Sequence, residues 1–375
     1  MSIKVFIAGD VMPRMGQAKA FKNASEKIFN DVKPYITDAD IAVANLEAPV
    51  VFDKKTPIRK SGPNLYTSAT TVEVLKNVGF NIITLANNHF FDQGQQGVDN
   101  TINQCDLLSI HTTGGGKNLY QARKVLLLEH CGQQIALINV CEQEYSIANS
   151  EHGGSNPLDL IYMQEDISYA RKKADYVVVI VHGGVEHYPY PTPRMKRWYR
   201  HFVDLGADVV VNHHQHCMNG YEIYKGKPIF YGLGNFYFPE RDGVSKPKSW
   251  GYGYAVLLTL DNAITFETIP YQQDVDGIKL RNKNEFEKEI ELLNLPIADD
   301  YLLQQKFDER IIDNENQIKT HWLPSILRNR VVLALANRGY LGRLYKGNQV
   351  IVLKNLLTCE SHFESLQRLF TILTK

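Results

Sequence analysis

The stretch DYVVVIVHGG, residues 175–184, decides how the chain is built. Five β-branched residues run without a polar interruption, the pattern of a strand buried on both faces. The run stops at His182, and Gly183 and Gly184 follow, where backbone can approach a ligand closely. A histidine in such a place is ordinarily a satisfied core or rim residue. It becomes a ligand only in company, so both fold and function turn on whether other strands end the same way.

Four other apolar runs do. IKVFIAGD (residues 3–10) ends at Asp10, and DIAVANLE (40–47) ends at Asn45 and Glu47. NIITLANNH (81–89) ends at Asn87, Asn88 and His89, and ADVVVNHHQH (207–216) ends at His214 and His216. Helical patterns separate them at residues 70–80, 98–108, 163–174 and 194–207. The alternation predicts an α/β fold with a mainly parallel, buried sheet, joined later by antiparallel strands at residues 226–236 and 253–260. The carboxyl ends of parallel strands open onto one crevice, where ligands bind. A chance scatter of polar residues would not favour those ends.

Each residue has a bland reading beside the chemical one. Asp10 is a hard anionic ligand for a metal, or a helix-capping turn residue. Asn45 and Glu47, two apart, share a face of their strand. Glu47 is costly to bury unless it is paired or metal-bound, and otherwise it is a rim carboxylate bonded to backbone amides. In LANNHFFDQG (85–94), Asn88 offers an oxygen ligand, and His89 a general acid whose tautomer Asp92 fixes. A merely polar turn would leave His89 without a role. His214 and His216 face the same way if their segment is extended, and His213 then faces away. With carboxylates and asparagine these imidazoles make a mixed set suited to zinc, iron or manganese, as in two-metal hydrolytic centres. Asn45, Asn87, Glu186 and Asn235 are the expected substrate contacts, though Asn235 also suits a β-turn. The GGGKN run (114–118) is a weak anion cradle, and Arg59 and Lys60 read better as solvated charges than as contacts to an anion.

The rest of the chain narrows the classes. Lys+Arg and Asp+Glu both number 41 in 375 residues, so bulk charge gives no reason to expect a nucleic-acid partner. The five cysteines form no CxxC pair, which argues against a disulfide framework or a paired-thiolate zinc knuckle. No GxSxG elbow is present. No apolar run is long enough to span a bilayer and no leader pattern precedes residue 10, so a cytoplasmic location is expected, with membrane association only through a partner. Residues 1–270 read as the α/β domain and residues 271–375 as a helical C-terminal extension, with helical patterns at 282–293, 299–314, 322–345 and 351–374. These helices pack on the core, or offer a surface to a partner in a biosynthetic complex.

GDVMPR, NLEAPV, LANNHFFDQG, GGGKN, VHGGVEHY, the NHHQHCMNGYE stretch and YGLGNFYF, in this order, resemble the CapA-type family of capsule and poly-γ-glutamate synthesis proteins. That family is similar to the calcineurin-like metallophosphatases. The resemblance implies a four-layer αββα sandwich with one or two divalent metal ions (Mn, Fe or Zn) at the strand ends. Position by position it implies Asp10, Glu47, Asn88, His182, His214 and His216 as ligands. It also implies His89 as the proton donor to the leaving group. Met12 stands where the wider superfamily has a histidine, and Glu47 where it has an aspartate. The implied activity is a metal-dependent phosphoesterase-type hydrolase acting on an anionic small molecule or polymer in capsule, exopolysaccharide or poly-γ-glutamate biosynthesis. Two alternatives stay open: a metal-dependent amide hydrolase or transferase on a γ-glutamyl polymer, and a non-catalytic assembly factor that binds a partner through residues 322–345.

Overall fold

The computed structural model describes residues 2–13, 18–240, 246–314 and 348–373. The expected helix at 322–345, with the partner surface placed on it, lies outside these residues. Sixteen strands are described: β1 (Ile3–Val11), β2 (Ile41–Leu46), β3 (Ile82–Thr84), β4 (His111–Thr113), β5 (Gly115–Gly116), β6 (Leu126–His130), β7 (Gln133–Cys141), β8 (Gly154–Ser155), β9 (Tyr176–His182), β10 (Val209–His213), β11 (Tyr221–Tyr224), β12 (Lys227–Phe230), β13 (Asn235–Tyr237), β14 (Tyr252–Leu260), β15 (Thr265–Asp274) and β16 (Gly277–Leu280).

The strands form two main sheets rather than the single sheet that the βαβα rhythm suggests. The first runs β16-β15-β14-β1-β2-β3-β4, with β13 also on β1. The second runs β11-β12-β10-β9-β7-β6. β-branched runs report burial on both faces, but they do not say which sheet a strand joins. Here one face of each sheet meets the other sheet, and the opposite face meets helices. Ile3, Val5, Ile7 and Val43 of the first sheet pack against Val178, Ile180, Val209 and Val211 of the second. On the outer faces, Phe6, Ala42 and Ala44 pack with Val72 and Leu75 of the helix Ala69–Val78. Val177, Val179 and Val210 pack with Met163, Tyr199 and Phe202 of the helices Leu160–Lys173 and Pro193–Leu205. The result is the four-layer αββα sandwich.

Local chemistry sets the helices. Thr192 caps Pro193–Leu205 by accepting from the Met195 N–H, proline occupies the first turn, and Gly206 ends it at φ +120°. Asp159 likewise caps Leu160–Lys173.

The expected boundary at residue 270 falls inside β15. That strand continues to Asp274 and pairs with β16, so the first sheet extends to Leu280 before the helices begin. Helices then follow at Lys283–Ala298, Asp300–Asp313, Asn348–Thr358 and Glu360–Leu373. Phe286 and Ile290 insert into the core between the sheets, while Phe307, Ile311 and Leu369 close over Tyr188. The described part of the extension is therefore packed on the sandwich. Among the described residues no helix is long and apolar enough to cross a membrane.

Candidate metal centre at the strand ends

β1 changes partner where it meets the site. Residues 3–7 pair antiparallel with β14, whereas Asp10 and Val11 pair with β13 on one side and β2 on the other. The switch needs Gly9: a Cβ there would lie 2.0 Å from the Gly234 carbonyl oxygen. Asp10 is thereby set level with Asn45 and Asn235. Its Oδ1 accepts from Asn45 Nδ2 at 2.6 Å, and its Oδ2 accepts from the His214 backbone N–H at 3.1 Å.

Glu47 is fully buried at the centre, and neither carboxylate oxygen has a hydrogen-bond partner. Three imidazole Nε2 atoms face its Oε1: His216 at 3.6 Å, His182 at 3.9 Å and His89 at 4.0 Å. His182 Nε2 also has Asn88 Oδ1 and His214 Nδ1 each at 3.1 Å. Its other ring nitrogen lies 3.7 Å from Asp10 Oδ1. Burial, with Asp10 close by, pushes the Glu47 carboxyl well above its usual range. Burial and the neighbouring imidazoles, His214 first, hold His182 well below its own. Burial lowers His216 to about 4 despite Glu186 and Asp10. Neutral imidazoles are the metal-binding form, and an unpartnered buried carboxylate is costly until a cation meets it. The donor set therefore fits a divalent ion, and Asp10, Glu47 and His216 offer ligand atoms within 4.8 Å of one another.

The two histidines converge by a different route from the expected one. The segment after β10 is bent rather than extended, with His214 at φ +88° and His216 at φ +53°. Such values are uncommon for non-glycine residues and need support. Asn212 supplies it: its Nδ2 donates toward the carbonyls of Gly183, His213 and Tyr231 and toward Gln215 Oε1, and its Oδ1 accepts from Tyr199. His213, expected to face away, is buried with Nδ1 4.0 Å from Asp10 Oδ1 and belongs to a ligand-capable group with Asp10 and His182. Its strand pairs in register with β9, which sets it beside His182.

The expected substrate contacts occupy three different settings. Asn45 and Asn87 lie beneath the ligands, wholly buried and already bonded. Asn87 donates to Asn45 Oδ1 and to the Leu46 carbonyl, and accepts from the His89 N–H. Asn235 is buried as well; its Oδ1 meets His216 Nδ1 at 2.9 Å and its Nδ2 donates to the Trp250 carbonyl. A proton held on Nδ1 leaves His216 Nε2 free toward Glu47. Glu186 stands at the rim, exposed, 3.9 Å from His187 Nε2.

His89 Nδ1 meets Asp92 Oδ2 at 2.6 Å, an oxygen that also accepts the Leu65 N–H. Its Nε2 points to Glu47. Lys60 was expected in solvent, yet its side chain is 3% exposed, its ammonium paired with Asp92 Oδ1 and 3.1 Å from His89 Nδ1. A basic residue in an irregular loop carries no periodic signal that would reveal this. Where the wider superfamily has a histidine, Met12 joins Ala48, Leu65, Phe238 and Trp250 in an apolar wall, and Trp250 lies 4.6 Å from the His216 ring.

Residues 4–240 match the family described as bacterial capsule synthesis protein PGA_cap. The chain is 33% identical over 245 residues to the capsule biosynthesis protein CapA of Bacillus anthracis, covering 62% of this chain and 59% of that one. It is 32% identical over 238 residues to the PGA biosynthesis protein CapA of Bacillus subtilis, covering 63% of each. It thus spans about three fifths of the length of the curated relatives it matches. A phosphatase from Mycoplasma pneumoniae aligns in three dimensions with a TM-score of 0.48 and 19% identity, over 73% of this chain and 95% of that one. With the family match covering more than half of its residues, the chain belongs to the bacterial capsule synthesis protein (PGA_cap, CapA-type) family.

Proposed function

We propose that the chain is a metal-dependent hydrolase of the phosphoesterase type, acting on an anionic small molecule or polymer in capsule, exopolysaccharide or poly-γ-glutamate biosynthesis. The observation that carries this reading is the buried, unpartnered Glu47 carboxylate with three imidazole Nε2 atoms within 4.0 Å. Asp10, Glu47, Asn88, His182, His214 and His216 would hold one or two divalent ions, with manganese, iron or zinc suited to the mixed nitrogen and oxygen donors. Bound there, the ions would supply Lewis acidity and positive charge to an anionic substrate and its attacking water.

The chain's own residues do the rest. His89 Nε2 points toward Glu47 at the centre, and with Nδ1–H held by Asp92 the imidazolium form donates its Nε2 proton to the leaving oxygen, leaving the neutral Nδ1–H ring; burial and Lys60 lower its pKa while Asp92 counters them. Lys60 fixes Asp92 in turn. Asn45 and Asn87 position Asp10 and His89 from beneath, and Asn235 orients His216. Glu186 is left as the rim residue free to meet substrate.

The test is chelator-treated full-length chain reloaded separately with each metal and offered phosphomonoesters, phosphodiesters and γ-glutamyl peptides. Phosphoester turnover is expected, lost together with metal in Asp10→Ala. His89→Ala should keep its metal and lose about 10²- to 10⁴-fold in kcat, the usual worth of a positioned acid. Turnover of γ-glutamyl peptides alone would reassign the bond. Failure to retain any supplied metal would overturn the hydrolase reading and favour an assembly role.

A further inference from the structure

The sequence CESH, residues 359–362, closes the short break between the helices Asn348–Thr358 and Glu360–Leu373. It places a thiol just before the last helix and an imidazole three residues on, in its first turn. Both turn toward the loop after β7. Cys359, His362 and Glu144 each present one ligand atom, all within 4.8 Å of one another. Cys359 is buried and the other two are only partly exposed.

Two features distinguish this cluster from an accidental meeting of polar groups. The first is the company of the thiol. The Cys359 thiol donates to Glu142 Oε2 at 3.7 Å and lies beside Glu144, so a buried sulfur sits between two carboxylates. Glu142 already has a cationic partner in Arg194 at 2.5 Å; Glu144 has none among its described contacts nearer than His214 Nε2 at 4.0 Å. A cation there would take the place of the thiol proton and meet the sulfur, the imidazole and the Glu144 carboxylate together. The second is Asn355, which is itself buried. Its amide meets His362 Nδ1 at 3.3 Å, and its Oδ1 has no partner. With the amide turned over, a change of orientation that leaves its shape the same, Oδ1 accepts the Nδ1 proton. Such an outer contact fixes a ligating imidazole with Nε2 free.

We propose that Glu144, Cys359 and His362 form a second cation site, for zinc, which clamps the last helix to the loop after β7. A thiolate, an imidazole and a carboxylate make a borderline-soft set that excludes magnesium and calcium, and three protein ligands leave one position for water. The site is separate from the strand-end centre, whose ligand-capable groups contain no sulfur. Glu144 stands between the two, facing His214 on one side and Cys359 on the other. The absence of a CxxC pair does not bear on this arrangement, because only one thiolate is needed and the third ligand lies 215 residues away in sequence, at position 144.

Cobalt reads the site without interference from the other centre, since only a thiolate ligand gives a near-ultraviolet sulfur-to-cobalt charge-transfer band. Full-length protein stripped with chelator and titrated with cobalt should show that band, and zinc should displace it. Cys359→Ser should abolish the band. His362→Ala should weaken the cobalt that produces it by roughly 100-fold, and Asn355→Ala by about tenfold. Asp10→Ala should leave the band in place, which separates this site from the proposed phosphoesterase centre. A wild-type titration without the band, or a band that survives in Cys359→Ser, overturns the proposal.

Discussion

The Lys60 ammonium is buried against the Asp92 carboxylate, and the same carboxylate holds His89 Nδ1 at 2.6 Å. Lys60 comes from an irregular stretch between β2 and the helix Ala69–Val78, so this one pair joins a loop to the base of the candidate acid. Removing one partner of a buried ion pair leaves the other uncompensated, at a cost of about 3–5 kcal/mol. Lys60→Met should therefore destabilise by about 3 kcal/mol in denaturant titrations. Adding Asp92→Asn should recover part of that loss, because the orphaned charge goes too. Strictly additive effects would show that the pair is not formed in solution.

Glu47 should reverse its contribution with metal. Without a cation it is a buried acid lacking any hydrogen bond, so Glu47→Leu should stabilise chelator-treated protein by about 1–3 kcal/mol. With manganese or zinc present the order should invert, since wild type gains binding free energy that the variant cannot. Thermal melts with and without chelator measure both arms. Equal metal-induced shifts in the two proteins would remove Glu47 from the ligand set.

The strand-end cluster was legible because two regularities coincide. Long β-branched runs mark buried strands, and the carboxyl ends of parallel strands converge wherever the sheets lie. That logic brought Asp10, Glu47, Asn88, His182, His214 and His216 to one place without knowing that β1 and β9 sit in different sheets. The motif itself suggests His89 as a general acid, and the resemblance implies the same role; the sandwich comes from the resemblance alone. Alternation failed just past β10, where positive φ at His214 and His216 replaces strand geometry, and it missed His213, which the register of β10 on β9 sets beside His182. Lys60, Asn212 and Glu144 were illegible for a common reason. Their partners lie far along the chain or in irregular loops, and no period encodes such contacts.

Asn212 links the strained turn to its surroundings through five hydrogen-bonding contacts. Asn212→Ala leaves Tyr199 Oη and several buried carbonyls without that partner, so a loss of about 3 kcal/mol is expected. The relaxed turn should also weaken metal binding, although Asn212 touches none of the six proposed ligand side chains in these contacts. Calorimetric titration of the metal into the variant should show a raised Kd with unchanged stoichiometry. A lost site would instead place Asn212 among the ligands.

Thiol reactivity tests the burial pattern. Cys131 is exposed and the other four cysteines are buried. Burial pushes Cys105 and Cys217 up to about 12, and Cys141 and Cys359 well above the usual thiol range. The thiolate is the nucleophile, so a raised pKa leaves these four as unreactive thiols at pH 8, with reactivity returning only toward strongly alkaline pH or on unfolding. Chelator-treated native protein should label rapidly at Cys131 alone, and denatured protein at all five. Rapid native labelling of Cys359 would show that the last helix is undocked.

Arg194 holds that helix in place. Its Nη2 donates to Glu142 Oε1 at 2.5 Å and to Ser361 Oγ at 2.9 Å, and its Nε donates to Glu364 Oε2 at 3.0 Å. Glu142 in turn accepts from the Ser361 N–H and hydroxyl, and its own N–H donates to the His182 carbonyl. Arg194→Met removes the cation that pairs with both acids, leaving the buried Glu142 and the partly buried Glu364 without it. The expected result is a loss of about 3–5 kcal/mol, with the chain between Asn348 and Leu373 cut first in limited proteolysis. Glu364→Gln keeps Arg194 paired with Glu142 and should cost clearly less. The short path from Arg194 through Glu142 to the strand carrying His182 adds a second consequence: undocking should also lower metal affinity at the strand ends. Proteolytic release with metal binding unchanged would show that the helix and the centre are independent.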